Sequence, residues 1–187
     1  MGVPQAGLRQ NALCSLAILG AIVAIAVGLP ALDRAVAGTR ALASGIPYAI
    51  TDRVTVVPPP GAALDLTGTR PGAHAGQAVF VLGRVRIAVL VSGDRLSLDR
   101  ATYRLLRRLR DSIGADPIAG PGGPLLGLST DEARAGRFHA PQVDGWYAVR
   151  LLRDGTVVDV TASGRGSELI ALVPAIEATA ASVAGPP

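Results

Sequence analysis

Lysine is absent from this chain of 187 residues, and all 18 of its basic side chains are arginines. Asparagine occurs once, at Asn11, while glycine occurs 23 times on an alanine-rich background. That pattern reads as codon usage in a GC-rich genome, so the arginines by themselves are no sign of selection for guanidinium chemistry. The single cysteine, Cys14, excludes an intramolecular disulfide and any multi-thiolate metal site. With only 17% charged residues and a mean hydropathy of +0.40, the chain is too apolar for a disordered tail. A formal charge of +4, spread along the sequence, does not point to nucleic acid as a partner.

One long hydrophobic run is present. Residues 12–32 (ALCSLAILGAIVAIAVGLPAL) carry no charge, and Arg9 and Asp33 lie just outside. At ~1.5 Å per helical residue this run crosses a hydrocarbon core of ~30 Å, so a transmembrane helix is predicted. A cleavable signal peptide is the alternative, with Ala35-Val36-Ala37 as a cleavage site. Its apolar region is ordinarily ~7 to 15 residues, shorter than the run here, which favours an uncleaved anchor. Cys14 opens the run instead of following it, so it is an apolar anchor residue and not a lipidation site. Gly20, Ala24 and Gly28 recur every four residues and would permit close packing against another membrane helix. The organisation expected is a tail over 1–11, the span over 12–32, a juxtamembrane spacer over 33–45 and an α+β domain over 46–187. The spacer could prolong the helix before Gly45 and Pro47 stop it.

The domain reads as short strands and two amphipathic helices. Strands are expected at 54–57, which Pro58-Pro59-Pro60-Gly61 terminates, and at 77–82 and 85–91 around a type II′ turn at Gly83-Arg84. Ser97 is a plausible N-cap for a helix in which Leu98, Thr102, Leu105, Leu106, Leu109 and Ile113 share an arc of about 100°. The opposite side holds Arg100, Arg104, Arg107, Arg108 and Arg110. The Gly/Pro-rich run 114–127 is expected to be a connector, with no phosphate-loop spacing. A hairpin over 146–162 with a two-residue Asp154-Gly155 turn would pair Leu151 with Val158, Val149 with Val160, Tyr147 with Ala162 and, on its other face, Arg150 with Asp159. A last helix aligns Leu169, Leu172, Val173, Ile176, Ala180 and Val183, with Pro174 either kinking it or opening it. The expected fold is thus an antiparallel sheet packed with two amphipathic helices.

This order of elements resembles the α+β sandwich of the PsbP-like superfamily, including the LpqN-type proteins of actinobacterial envelopes. The resemblance runs from Val54 to Val183. It is carried by Val54-Thr55-Val56-Val57-Pro58 with the following Pro-Gly, the aromatic hairpin from Trp146 to Val160, and Gly164 with a helix ending at Ser182-Val183. Ala62 departs from the pattern, where many such domains have a tryptophan. The resemblance implies placement of the domain outside the cytoplasm, with the N-terminus inside, and an accessory or docking role. It carries over no catalytic residue.

Chemistry is sparsely provided for. Histidine is the side chain that ordinarily titrates near neutrality, and only His74 and His139 are available as general bases. The sequence contains no G-x-S-x-G elbow, no H-x-x-x-H pair and no Asp-x-Asp calcium loop, so neither a metal nor another cofactor is expected. Arg100, Arg104, Arg107 and Arg108 are the candidate contact residues. Guanidinium forks bind carboxylate and phosphate, and a basic helix near a bilayer attracts anionic headgroups. The expected function is a non-catalytic docking module on the plasma membrane, binding the bilayer through its anchor and a protein partner through its domain. The alternatives are a subunit held in a membrane assembly through its helix, and an envelope enzyme using His74 or His139.

Overall fold

Short apolar stretches bounded by turn residues recur along the chain beyond the spacer, and most of them become strands of one sheet. The computed structural model describes residues 38–123, 125, 128–129 and 132–185. Ten strands and two helices follow in order: β1 (Thr39–Ala41), β2 (Tyr48–Ala49), β3 (Thr55–Val56), β4 (Ala63–Asp65), β5 (Gly76–Leu82), β6 (Val85–Ser92), α1 (Leu98–Ile113), β7 (Asp116–Gly123), β8 (Ala133–Ala140), β9 (Val143–Leu151), β10 (Val157–Gly164) and α2 (Gly166–Ala181). Eight strands form one antiparallel sheet in the order β1-β4-β5-β6-β10-β9-β8-β7, and β2 pairs with β3 beside it. The α+β class and the two-helix packing expected from the sequence are what the structure has.

No helix among the described residues is long and apolar enough to cross a membrane. The predicted span 12–32, with Gly20, Ala24 and Gly28, lies outside the described residues.

Each face of the sheet carries one helix. Tyr147 and Val149 of β9 and Val157 of β10 point to the α1 side, where they pack with Phe138, Leu98, Ala101 and Leu105. Trp146, Ala148, Val158, Val160 and Ala162 point the other way and join Phe80, Ile87, Leu169, Ile176 and Ala180 beneath α2. Tyr147 and Trp146 are therefore both core residues, on opposite faces of the sheet. The helices follow the sequence closely in their bounds: Ser97 holds the α1 N-cap position, though its side chain makes no capping hydrogen bond, Ile113 at the end of α1 is exposed, and Pro174 sits inside α2 and does not open it.

Three expectations are corrected. First, part of the spacer is a strand: β1 pairs with β4 through Arg40 and Leu64, so residues 39–41 do not continue a helix. All three β1 side chains are exposed, so the strand is held by the backbone groups that β4 would otherwise leave unpaired. Second, 116–123 is strand β7 and not a connector. It is an edge strand, the place where a sheet tolerates Pro117 and Pro121, and its register against β8 shifts between Ile118 and Gly123.

Third, the β9–β10 register is one residue away from that expected. Val158 faces Arg150, Asp159 faces Val149 and Val160 faces Ala148. The turn has three residues, not two. Gly155 N–H donates to Leu152 O at 2.9 Å and Leu152 N–H to Thr156 O at 2.9 Å, with Gly155 at φ +83°. This is a tight turn followed by a left-handed residue, and the extra residue slips every pair by one. Arg150 and Asp159 consequently lie on opposite faces and do not pair.

Candidate functional site

Helix α1 exposes arginines because its leucines face the sheet, yet most of these arginines are engaged within the domain. Arg104 donates to Asp94 Oδ2 at 2.7 Å and to Ser92 Oγ at 3.0 Å. Arg108 reaches Asp159 at 3.4 Å, Arg107 reaches Asp111 at 3.6 Å, and Arg110 reaches Asp116 at 3.7 Å. Arg100 is exposed. Of the four predicted contact residues, then, Arg104 and Arg108 turn toward the sheet, and Arg100 and Arg107 face outward.

Asp159 lies beneath α1 with 1% of its side chain exposed, and its Oδ1 makes no hydrogen bond among the described residues. Burial pushes its carboxyl up to about 6 from the ordinary 3.8, against the opposing charges of Arg108 and Arg104. Between pH 3.8 and about 6 the folded chain holds this proton while the unfolded chain releases it. This group's contribution is therefore fully favourable below the lower value and falls as pH rises through the window, by up to about 3 kcal/mol, then stays flat. Urea unfolding at intervals from pH 4 to pH 7 is expected to show the advantage of Asp159→Asn over the parent growing up to about pH 6 and then levelling off. A constant difference across that range would show that the buried carboxyl does not hold its proton.

The two histidines belong to separate places. His139, in β8, faces Asp144 of β9, and its Nδ1 is 2.7 Å from Asp144 Oδ1. His74 lies in the loop before β5, beside Arg53 and Arg95. Among the described residues no three His, Cys, Asp or Glu side chains converge as metal ligands.

Next to the His139–Asp144 pair is an apolar groove of about 200 Å³ between the β7–β8 edge and the first turns of α2. Buried Phe138 and Leu169 line it together with Val173, and Arg137 and Asp144 supply its polar groups. Gly145 is bare of side chain because the Phe138 ring lies across it, an aromatic-over-glycine pair between neighbouring strands. Two large apolar side chains stand open at the groove, Ile118 of β7 at 52% exposure and Ile170 of α2 at 58%. Sequence reasoning missed both. Ile118 sits in the run assigned to a connector, and Ile170 falls off the predicted apolar face of its helix. An isoleucine left over after the core face is filled was the available signal.

No protein-family model matches this chain, and no curated protein matches it.

Proposed function

We propose that the chain is a single-pass membrane protein whose α+β domain is a non-catalytic docking module for a protein partner at the membrane. The observation that carries this reading is the groove. Ile118 and Ile170, from different elements, are more than half exposed on the same groove, whose lining includes buried Phe138 and Leu169. Apolar side chains gathered in this way mark an interaction surface, whereas scattered ones do not. The uncharged run 12–32 supports the membrane placement, and the resemblance to PsbP-like envelope domains supports the docking role.

The test is photocrosslinking in intact cells from a photoreactive residue placed at position 170 of the full chain. A discrete adduct is expected in the membrane fraction, absent when the residue is placed at the exposed Tyr103 instead, and lost with Ile118→Asp. Ile118 is half exposed on an edge strand, so this change is expected to cost about 1 to 2 kcal/mol, and Trp146 emission of the variant separates loss of the adduct from unfolding. Equal adducts from positions 170 and 103 would sink the proposal.

One contact favours a second reading, an envelope enzyme. The Asp144 carboxylate, 2.7 Å from His139, orients that imidazole as a general base needs. Ester or amide hydrolysis that His139→Asn abolishes would favour it, while the docking reading leaves the position 170 adduct unchanged in that variant.

A further inference from the structure

The groove lies at the start of β9. At the other end of that strand, around the turn into β10, a cleft of about 250 Å³ is lined by Thr51, Arg53, His74, Arg95, Asp154 and Thr156 among others. These side chains come from four separate loops, and the fold fixes the backbone that presents them. Arg53 sits in a turn closed by Ile50 N–H donating to Val54 O at 2.9 Å, with Thr51 Oγ1 accepting from Val54 N–H at 3.0 Å. Ile50 and Val54 on either side are buried, so Arg53 projects from an anchored turn. The Arg95 stem passes over Gly155, where an added Cβ would lie 3.8 Å from Arg95 Cγ.

Neither guanidinium forms an ion pair among the described residues, which is true of other arginines such as Arg84 and Arg165 as well; what sets Arg53 and Arg95 apart is that both line one cleft. The one acid of the lining, Asp154, already accepts Thr156 N–H at 2.9 Å. That hydrogen bond, helped by the charge of Arg53, holds the Asp154 carboxyl below its usual range, so it counts as one negative charge. Two guanidinium groups against one carboxylate leave the cleft net positive.

We infer that this cleft binds a phosphate group, held between Arg53 and Arg95 with the His74 imidazole as a further donor. Two planar forks and an imidazole approaching from three loops offer donors in more directions than the two coplanar oxygens of a carboxylate accept. A tetrahedral oxyanion matches them. Such a group is carried both by soluble phosphates and by phospholipid headgroups.

Calorimetric titration of the full chain in nonionic detergent with inorganic phosphate tests this. The parent is expected to bind, and Arg53→Gln/Arg95→Gln to weaken binding about tenfold or more. Arg100→Gln/Arg107→Gln makes the same charge change on the outer side of α1 and is expected to leave binding within about twofold. Trp146 emission, reporting on the buried core, checks that each variant stays folded. Phosphatidylglycerol added to the micelles identifies the source: competition with inorganic phosphate assigns a lipid headgroup, and no competition assigns a soluble phosphate. The inference is overturned if both double variants weaken binding equally, if Arg53→Gln/Arg95→Gln binds as the parent does, or if the parent shows no binding up to about 10 mM.

Discussion

Replacing Gly145 by alanine is expected to destabilise the fold by about 3 kcal/mol, among the largest effects of adding a single methyl group to this domain. A Cβ at this position collides with the Cζ, Cε1 and Cε2 atoms of Phe138. The ring is 1% exposed and packs with Tyr147, Leu98 and Leu105, so it cannot swing into solvent without opening the α1 side of the core. The ring must therefore shift within a close-packed interior, or the β8–β9 pair must part. Urea unfolding followed through Trp146 fluorescence reads the loss. Phe138→Leu, costly alone because it shortens a core side chain, is expected to be less costly in the Gly145→Ala background, so that the double variant is more stable than the sum of the singles. A Gly145→Ala variant within about 0.5 kcal/mol of the parent would falsify this account of the pair.

Arg150→Met is expected to cost about 2 to 3 kcal/mol, with the damage centred on the end of α2. The slipped hairpin register places Arg150 on the α2 side of the sheet. There its Nη1 donates to Ala180 O at 3.1 Å, Ala181 O at 2.9 Å and Val183 O at 2.6 Å. Helices leave their last carbonyls without intrahelical partners, and a cation at that end also meets the negative pole of the helix dipole. Methionine keeps the length and the apolar stem but supplies no donor, so the effect isolates the guanidinium. Amide exchange is expected to quicken in the last turn of α2 and at the Thr55–Ala184 bridge, which the same segment supports. Arg150→Lys, with a charge but no fork, is expected to fall between parent and methionine. Unchanged exchange in that turn for Arg150→Met would remove the argument.

Much of the fold is legible because its cues are local. Gly83, at φ +60°, opens the β5–β6 hairpin where the sequence places the turn, and Leu82 pairs with Val85 across it. Ser97 and the leucine period mark α1 to the residue. The β9–β10 register is not legible for a physical reason. Both faces of this sheet are covered by helices, so apolar residues run through β9 and β10 continuously, and a slip of one residue still yields apolar pairs. The opposite charges of Arg150 and Asp159 look like a cross-strand pair, yet each serves a different helix. Strand β7 is hidden because a run of glycine and proline reads as a loop, and proline is tolerated in a sheet only at an edge, a position the sequence does not reveal. The arginine cleft has no sequence spacing at all: Arg53, His74 and Arg95 lie in separate loops and meet only through the sheet that connects them.

The two margins of the sheet carry a consequence for molecules crowded together on a surface. Pro117 and Pro121 remove two amide donors from the β7 rim, the β7–β8 pairing is broken between Ile118 and Gly123, and β1 at the opposite rim offers three residues. Among the described residues a neighbouring copy finds no long, regular row of backbone groups to extend, an arrangement that disfavours edge-to-edge pairing between copies.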